Sequence, residues 1–316
     1  MGKTKMPELL VENKPVENLP SDNRPIREQM EVIHKARTIR TLRKHKGEWI
    51  HNVKENSSKI NKTIADLWKE RDYGEGISVA AGPSLKEDLN DLKKMRKHRE
   101  LICVDASLGF LVDNGLTPDF CVTTDFSDKI LLMLNRGDKP IDTSNIKLIA
   151  NVITHPKVIE KWKGEVYWFV MMNNVYDIDY QKFMDDMHAL ETKVGAKLAP
   201  GGNVSSIALG FGLSVRNYEK IILYGHDFCW KPEGDFYAGG SFKELEKERM
   251  EKEGTAGTIF DDTNTKGEKV LTNLSLQQFA KWHEEATRYM RHRIDNRTSC
   301  TILNIKPTNN HSTNSR

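Results

Sequence analysis

Small and polar residues that could bind a phosphate group follow an apolar run near residue 80. Residues 77–81 are predicted to form a buried strand, which ends at Gly82-Pro83-Ser84 and is followed by a helix. Such a turn directs backbone N–H groups and the positive end of a helix dipole at a point where a phosphate can bind. Glycine permits close approach of a ligand, and Ser84 can cap the helix or bond a phosphate oxygen. The same turn is common in α/β proteins without a ligand, so this segment alone leaves both interpretations open.

Further polar residues occur where other predicted strands end. They are Asp105 with Ser107, Asp125, Asn173 with Asn174, and His226 with Asp227. Ligands of parallel sheets bind outside the carboxyl ends of the strands, so we expect these residues and the Gly82 turn to meet on one edge. Each residue alone is also typical of a cap or a turn. Asp125 and Asp227 are the stronger candidates, because they follow strongly apolar strands and no helix needs them as a cap.

A second glycine-rich turn precedes the apolar helix predicted over residues 204–213. Its small and polar residues are Gly201, Gly202, Asn203 and Ser205. They could supply a second anion site at a helix N-terminus. Two such sites would suit a ligand with two anionic ends, such as a nucleoside diphosphate or a nucleotide-activated sugar acid.

Strands and helices are predicted to alternate from residue 76 onwards. The strands are predicted over residues 77–81, 101–104, 120–124, 146–153, 166–172 and 220–224, and the helices include residues 177–190, 204–213 and 241–253. This order favours an α/β fold with a mainly parallel sheet and helices on both faces, preceded by a helical N-terminal segment. Two helices, over residues 26–46 and 48–70, are predicted in that segment, and residues 300–305 could add an edge strand. The predicted boundaries are an irregular arm over 1–25, a helical lead-in over 26–72, an α/β domain over 73–304 and a disordered tail over 305–316. Residues 231–270 form a polar insertion, which is a candidate lid or equally a surface loop without a role.

The bulk composition is that of a globular protein. With 316 residues and a net charge of +3, the chain does not indicate nucleic-acid binding. Basic residues cluster between positions 35 and 46, where a solvated helix face is favoured over a contact with a polyanion or partner. The four cysteines form no C-x-x-C pair, so neither a zinc site nor a disulfide framework is indicated. No apolar run is long enough for a membrane helix and no signal sequence is evident, so a cytoplasmic location is expected.

Three segments in this order and spacing resemble a known family. They read AAGPSLKEDLNDL, VDASLGFLVDNGLTPDFCVTTD and GGNVSSIALGFGLSVRNYEKIILYGHDF. Over roughly residues 48–300 the chain is similar to the DUF115 family. That family includes the bacterial motility accessory factor (Maf) flagellin glycosyltransferases and shares a domain with the archaeal MptE-like 6-hydroxymethylpterin diphosphokinases. The first and third segments are also similar to the bacterial sialyltransferases that use CMP-sialic acid.

The resemblance implies a Rossmann-like, nucleotide-dependent transferase. Two groups of residues would bind its donor. The nucleotide would be held by Gly82, Pro83, Ser84, Asp105, Ser107 and Asn173, and the transferred group would face Gly201, Gly202, Asn203 and Ser205. Asp125 stands where the diphosphokinases have acidic residues suited to Mg²⁺, and Asp227 would join it in that case. The sequence itself demands no cofactor.

The chain also departs from these relatives. The sialyltransferases have a histidine before their last helix as general base, but residues 270–274 here read VLTNL. His226 is therefore the histidine we nominate as base, with Asp227 and Asp125 as the other candidate catalytic residues. The diphosphokinases have an Asp-Gly and an Asp-Leu-Asp sequence where this chain has Asp105-Ala106 and Thr124-Asp125-Phe126. This chain therefore has fewer acidic residues at these positions than the diphosphokinases.

Three functional hypotheses follow. The first is a glycosyltransferase that moves a nucleotide-activated sugar, such as a CMP-linked nonulosonic acid, to a hydroxyl group of a protein or glycan. The second is transfer of diphosphate from ATP to a hydroxymethylpterin-like small molecule, with Mg²⁺ on Asp125 and Asp227. The third is a nucleotide-binding protein without turnover.

Overall fold

The computed structural model describes residues 26–70, 74–136, 139–171, 182, 194–199, 201–239 and 259–305. Twelve strands occur in these ranges. They are β1 (Glu75–Val79), β2 (Glu100–Val104), β3 (Phe120–Thr123), β4 (Asn135–Arg136), β5 (Lys139–Pro140), β6 (Lys147–Asn151), β7 (Val166–Met171), β8 (Lys197–Leu198), β9 (Lys220–Tyr224), β10 (Ile259–Thr263), β11 (Lys269–Asn273) and β12 (Ile294–Asn296). Eight of them form one sheet in the order β12-β9-β1-β2-β3-β6-β7-β8, and each neighbouring pair is parallel.

Helices cover both faces of this sheet. They are α1 (Ile26–Ser57), α2 (Leu85–Met95), α3 (Asp105–Asp113), α4 (Pro156–Lys161), α5 (Val204–Gly210), which a π-helical turn (Phe211–Arg216) extends, and α6 (Leu274–Ala286). Short 3₁₀ turns occupy Asp66–Glu70, Arg96–His98, Asp128–Leu134 and Arg291–Arg293. The predicted α/β, Rossmann-like fold class, with a mainly parallel sheet between helical layers, is confirmed. No helix among the described residues is long and apolar enough to cross a membrane.

The apolar strands form the centre of the molecule because alternate side chains enter two different layers. On one face, Cys103 and Leu148 pack with residues of α1 to α4; on the other, Ile102 and Ile149 pack with residues of α5 and α6. A strand that is buried on both faces has to be apolar throughout, which is why these runs were recognisable in the sequence.

The chain reverses its direction of travel across the sheet between β1 and β9. The connection from β1 leads to β2 on one side, whereas the connection from β9 leads to β12 on the other. This is the kind of switch point at which open α/β sheets bind their ligands. The Gly82 turn follows β1 and the His226-Asp227 turn follows β9, so both lie at the switch point.

The N-terminal segment and the last strand differ from the prediction. Residues 26–57 form one helix in place of a break near residue 47, because Gly47 has open space around it and the stripe of buried side chains continues through Trp49 and Val53. Residues 300–305 are not a strand, and the edge strand is Ile294–Asn296 instead. The helices predicted over 177–190 and 241–253, and the predicted arm and tail, lie outside the described residues except for Lys182 and Ile305.

Candidate functional site at the carboxyl edge of the sheet

The Gly82 turn is tied to the loop after β9 by the side chain of Asp227. Its Oδ2 accepts a hydrogen bond from the Ser84 backbone N–H at 2.8 Å, and its Oδ1 accepts one from the Ser84 hydroxyl at 2.8 Å. A Cβ on Gly82 would overlap this carboxylate and lie 2.5 Å from the Gly225 carbonyl oxygen, so only glycine fits. A carboxylate of the chain itself thus accepts the two Ser84 donors that we predicted for a phosphate.

Asp227 and Ser84 are both buried. Burial raises the pKa of Asp227 well above its ordinary value, although its hydrogen bonds from Ser84 act in the opposite direction. The contact therefore stabilises the N-terminus of α2 and joins two strands at the switch point.

Asp105 and Asp125 form a carboxylate pair after two neighbouring strands: Asp105 begins α3 directly after β2, and Asp125 follows β3. Asp105 is buried, and its Oδ2 accepts a 2.7 Å hydrogen bond from the Thr123 hydroxyl. Burial is the main reason that the pKa of Asp105 is raised to about 7; the nearby charge of Asp125 acts in the same direction, and the bond from Thr123 acts in the opposite one. Asp125 is half-buried, and its Oδ1 accepts hydrogen bonds from the N–H and hydroxyl of Ser127 at 2.8 and 2.9 Å. A carboxyl group with a perturbed pKa at this edge marks a candidate functional site.

Ser107 lies deeper than predicted for a ligand contact. It is 0% exposed, and its hydroxyl donates to the Val104 carbonyl at 2.9 Å and to the Val79 carbonyl at 3.3 Å. In this structure Ser107 links β1 to the start of α3. Asn173, the remaining predicted nucleotide contact, and Asn174 lie outside the described residues.

His226 is enclosed between the sheet and α6. It is 1% exposed, and its Nε2 lies 3.3 Å from the Ser78 hydroxyl. Its ring centroid is 5.9 Å from that of the equally buried His283. Burial, together with the neighbouring His283, lowers the pKa of His226 to about 3. The structure therefore places His226 beneath the edge, where the ring is shielded from a substrate.

The second glycine-rich turn begins α5 as predicted, but aromatic side chains pack directly against its two glycines. A Cβ on Gly201 would overlap Trp282, and one on Gly202 would overlap Phe279; both aromatic residues belong to α6. Asn203 caps α5, since its Oδ1 accepts from the Ser206 N–H at 2.9 Å and from the Ser205 hydroxyl at 3.1 Å. Gly202 is exposed and Asn203 is partly exposed, so these are the members of this turn that a ligand could reach.

The two aspartates predicted as metal ligands lie at the ends of different strands. Asp227 follows β9 and Asp125 follows β3, which are three strand spacings, or about 14 Å, apart. Mg²⁺ binds oxygen ligands at about 2.1 Å, so one ion would not bridge this gap. Asp105 and Asp125 instead follow the adjacent strands β2 and β3, and carboxylate oxygens are the ligand type that a hard cation prefers. Among the described residues no cluster of three or more metal-binding side chains occurs.

The start of the polar insertion covers the Gly82 turn. Lys231 pairs with Glu87 at 2.5 Å, Asp235 pairs with Lys86 at 2.7 Å, and the Ala238 N–H donates to the Ala81 carbonyl at 3.0 Å. The sequence singled out residues 231–270 as a candidate lid or surface loop, but it could not predict these partners, because the contacts join residues about 150 positions apart. Five of the predicted site residues remain accessible at the edge: Gly202 is exposed, and Gly82, Pro83, Asp125 and Asn203 are partly exposed.

Fold and site together define an α/β protein with a candidate ligand site at the carboxyl edge of a parallel sheet. A family model described as 6-hydroxymethylpterin diphosphokinase MptE-like matches residues 48–233. The chain belongs to this MptE-like family. A search of curated proteins found no match.

A solved structure with the same fold is that of a Maf glycosyltransferase from Magnetospirillum magneticum AMB-1. The TM-score is 0.52 at 15% sequence identity, over 77% of this chain and 34% of that protein. This chain thus spans about a third of the length of that structure. The family supports a transferase-type function, and the solved structure shows the shared fold. The predicted resemblance to Maf and MptE-like proteins is confirmed.

Proposed function

We propose that this protein is a nucleotide-dependent glycosyltransferase that moves a sugar from a nucleotide-activated donor, such as a CMP-linked sugar acid, to a hydroxyl acceptor on a protein or glycan. The observation that carries the proposal is the Asp105–Asp125 pair beside the Gly82 turn, at the carboxyl edge of a Rossmann-like sheet. The nucleotide would bind over Gly82, Pro83 and Asp105, and the transferred sugar would face Asn203.

Asp125 is the base that this geometry favours. It is more accessible than His226, and its carboxylate is oriented by Ser127. It would take the proton of the acceptor hydroxyl as that oxygen attacks the anomeric carbon, and the nucleotide would leave with its phosphate. Asp105 stays protonated more readily than an ordinary aspartate, so it limits charge repulsion next to the base and the anionic donor.

A second candidate function is diphosphate transfer from ATP to a hydroxymethylpterin-like acceptor, which the description of the family favours. Bound Mg²⁺ would neutralise the phosphate oxygens of ATP, and Asp105 and Asp125 are the residues that would hold it. Asp227 is committed to Ser84 in this structure.

A ligand screen separates the two functions. Thermal unfolding is measured with CMP, UDP, GDP, ADP and ATP, each with and without Mg²⁺. A ligand at 100 times its dissociation constant stabilises the native state by about 2.7 kcal/mol, which is a measurable shift. Stabilisation by CMP without metal supports sugar transfer, whereas stabilisation by ATP only with Mg²⁺ supports diphosphate transfer. No shift with any nucleotide would contradict both.

Replacement of Asp125 tests its role in the chosen reaction. We expect Asp125→Asn to lower kcat by about 10²–10⁴-fold, because loss of a general base has effects of this size. Asp128→Asn is the matched control, since Asp128 is exposed three residues further along. Turnover of the donor selected by the screen is measured for both variants, and equal activity would rule out Asp125 as the base.

A further inference from the structure

Helix α1 contacts the loop that carries Asp125. Its Leu42 and Trp49 are buried in the first layer. The rings of His45 and Trp49 lie 4.7 and 5.8 Å from the ring of Phe126, the residue after Asp125. A segment that the sequence suggested to be a lead-in thus lies against the candidate catalytic loop.

One buried amide in α1 joins two loops at the edge of the sheet. Asn52 is 2% exposed, and its Nδ2 donates to the Phe126 carbonyl at 2.9 Å and to the Ile153 carbonyl at 3.0 Å. A side-chain amide has two donors in one plane, so it can bridge carbonyls on two separate segments. These segments follow the neighbouring strands β3 and β6, and the His155 N–H also donates to the Asp125 carbonyl at 3.1 Å.

A second asparagine one helical turn later makes similar contacts without touching the Asp125 loop. Asn56 is 0% exposed, and its Nδ2 donates to the carbonyls of Val152 and Thr154 at 3.0 and 2.8 Å. Asn52 and Asn56 therefore share residue type, helix, burial and number of donated bonds. They differ in that Asn52 reaches Phe126.

We propose that Asn52 is a positioning residue for Asp125, which makes α1 part of the active-site architecture. The role of Asp125 rests on the proposed function, but its placement does not. The Asp125 carboxylate is oriented by the N–H and hydroxyl of Ser127, so its direction depends on the backbone between these two residues. Asn52 holds the Phe126 carbonyl in the middle of that backbone. Without this anchor, the carboxylate loses its fixed position relative to the sheet.

Hydrogen exchange tests the placement without a substrate. The Ser127 amide donates to Asp125 Oδ1, so its exchange rate reports whether the carboxylate is in place. We expect Asn52→Ala to speed exchange of this amide by about tenfold or more relative to Asn56→Ala, both measured by NMR under native conditions. Equal rates at Ser127 in the two variants would overturn the proposal. If the alanine variants do not fold, Asn52→Ser and Asn56→Ser are compared by the same criterion.

Kinetics test the consequence. With the donor from the ligand screen, we expect Asn52→Ala to lower kcat by about 10²-fold, the effect of a misplaced catalytic group, with little change in the donor KM. Asn56→Ala is expected to keep kcat close to wild type. Faster exchange at Ser127 with an unchanged kcat would overturn the positioning role. If the wild-type protein turns over no donor, the proposed function fails, whereas the exchange rates still decide whether Asn52 places Asp125.

Discussion

Asp227 shows how a single residue alters the interpretation of a sequence motif. The sequence suggested Ser84 as a phosphate ligand and Asp227 as a separate catalytic group, but the structure pairs them. A nucleotide phosphate that used the Ser84 N–H would have to displace the buried Asp227 side chain, which is unfavourable because that carboxyl group would lose both of its hydrogen bonds from Ser84. We therefore expect the donor to contact the accessible residues Gly82 and Pro83 and the neighbouring Asp105.

The raised pKa of Asp105 predicts a pH-dependent gain in stability for Asp105→Asn. In the unfolded chain this carboxyl ionises near 3.8, whereas in the folded protein its pKa is about 7. Its contribution to stability is thus fully present below pH 4 and is lost as the pH rises towards 7. The neutral variant avoids this loss, so its stability relative to wild type should rise by about 4 kcal/mol between pH 4 and pH 7 and then level off. The hydrogen bonding that asparagine does not replace lowers the whole curve by about 1–2 kcal/mol, so the variant should be less stable than wild type at pH 4 and more stable above pH 7.

Urea unfolding at pH 4.5 and pH 8 measures this difference. Asp128→Asn serves as the exposed control and should match wild type at both values. An Asp105→Asn protein that is equally destabilised at both pH values would show that Asp105 is ionised in the folded state. Reduced transfer by the more stable variant would indicate that the carboxyl is retained for activity.

At the scale of elements, the sequence predicted those strands best that are buried on both faces. The strand Lys220–Tyr224 was predicted to the residue, and β2, β3 and β7 to within one residue at either end, because continuous apolar runs have few alternatives. The predicted break between two helices near Gly47 was wrong. A glycine on an exposed helix face lowers the stability of the helix by only about 1 kcal/mol relative to alanine, so it does not end the helix. The packing of Trp282 and Phe279 against Gly201 and Gly202 could not be predicted from the residues around the turn, because α6 lies about 80 residues further along.

The Gly82 turn and α1 offer a matched pair of glycine substitutions. Gly82→Ala places a methyl group against the Asp227 carboxylate and 2.5 Å from the Gly225 carbonyl oxygen, which is backbone and cannot turn away. We expect a loss of about 2–3 kcal/mol, as for overpacked sites. Gly47→Ala meets open space in the middle of α1, so we expect a gain of up to about 1 kcal/mol.

Chemical denaturation of both variants checks the pair. If Gly82→Ala were as stable as wild type, the turn would have room for a side chain and the tight contact with Asp227 would not exist in solution. If Gly47→Ala were destabilised, residues 26–57 would not form one continuous helix. The two outcomes are independent because the glycines lie in different elements.

At the scale of the whole molecule, the convergence of loops on one edge was predictable and their mutual contacts were not. Strand–helix alternation is enough to bring Gly82, Asp105 and Asp125 to the carboxyl edge, because parallel strands share one direction. The sequence could not reveal that Asp227 bonds to Ser84 in the Gly82 turn, that side chains of α6 pack against Gly201 and Gly202, or that Asn52 of α1 bonds to the loop that carries Asp125. These contacts link residues roughly 75 to 145 positions apart in the chain, and several are tertiary hydrogen bonds with no periodic pattern.

The two buried histidines make the whole protein sensitive to acid. Burial lowers the pKa of His226 to about 3 and that of His283 to about 4, whereas in the unfolded chain both lie near 6.5. Unfolding therefore takes up protons below pH 6.5, and the histidines should destabilise the fold increasingly down to about pH 4. Asp105 has the opposite effect: as the pH falls from 7 to 4 it takes up its proton in the folded protein, which stabilises the fold and offsets part of the loss caused by the histidines. The slope should thus be clearest in the Asp105→Asn protein.

In that background we expect each histidine to lower the free energy of unfolding by about 1 kcal/mol for each pH unit between 6 and 5, because it binds a proton only when unfolded, whereas the raised pKa of Asp227 opposes this fall. Adding His283→Gln should therefore make the slope shallower by about 1 kcal/mol per pH unit, since the contribution of one histidine is removed. Urea unfolding at several pH values gives the slopes, and NMR of the His226 imidazole reports the charge of that ring directly. A slope unchanged by His283→Gln, or a His226 ring that titrates near pH 6, would mean that the space beneath the sheet edge is open to water. In that case His226 would again be a candidate general base, so the same measurement tests both the stability and the chemistry of this edge.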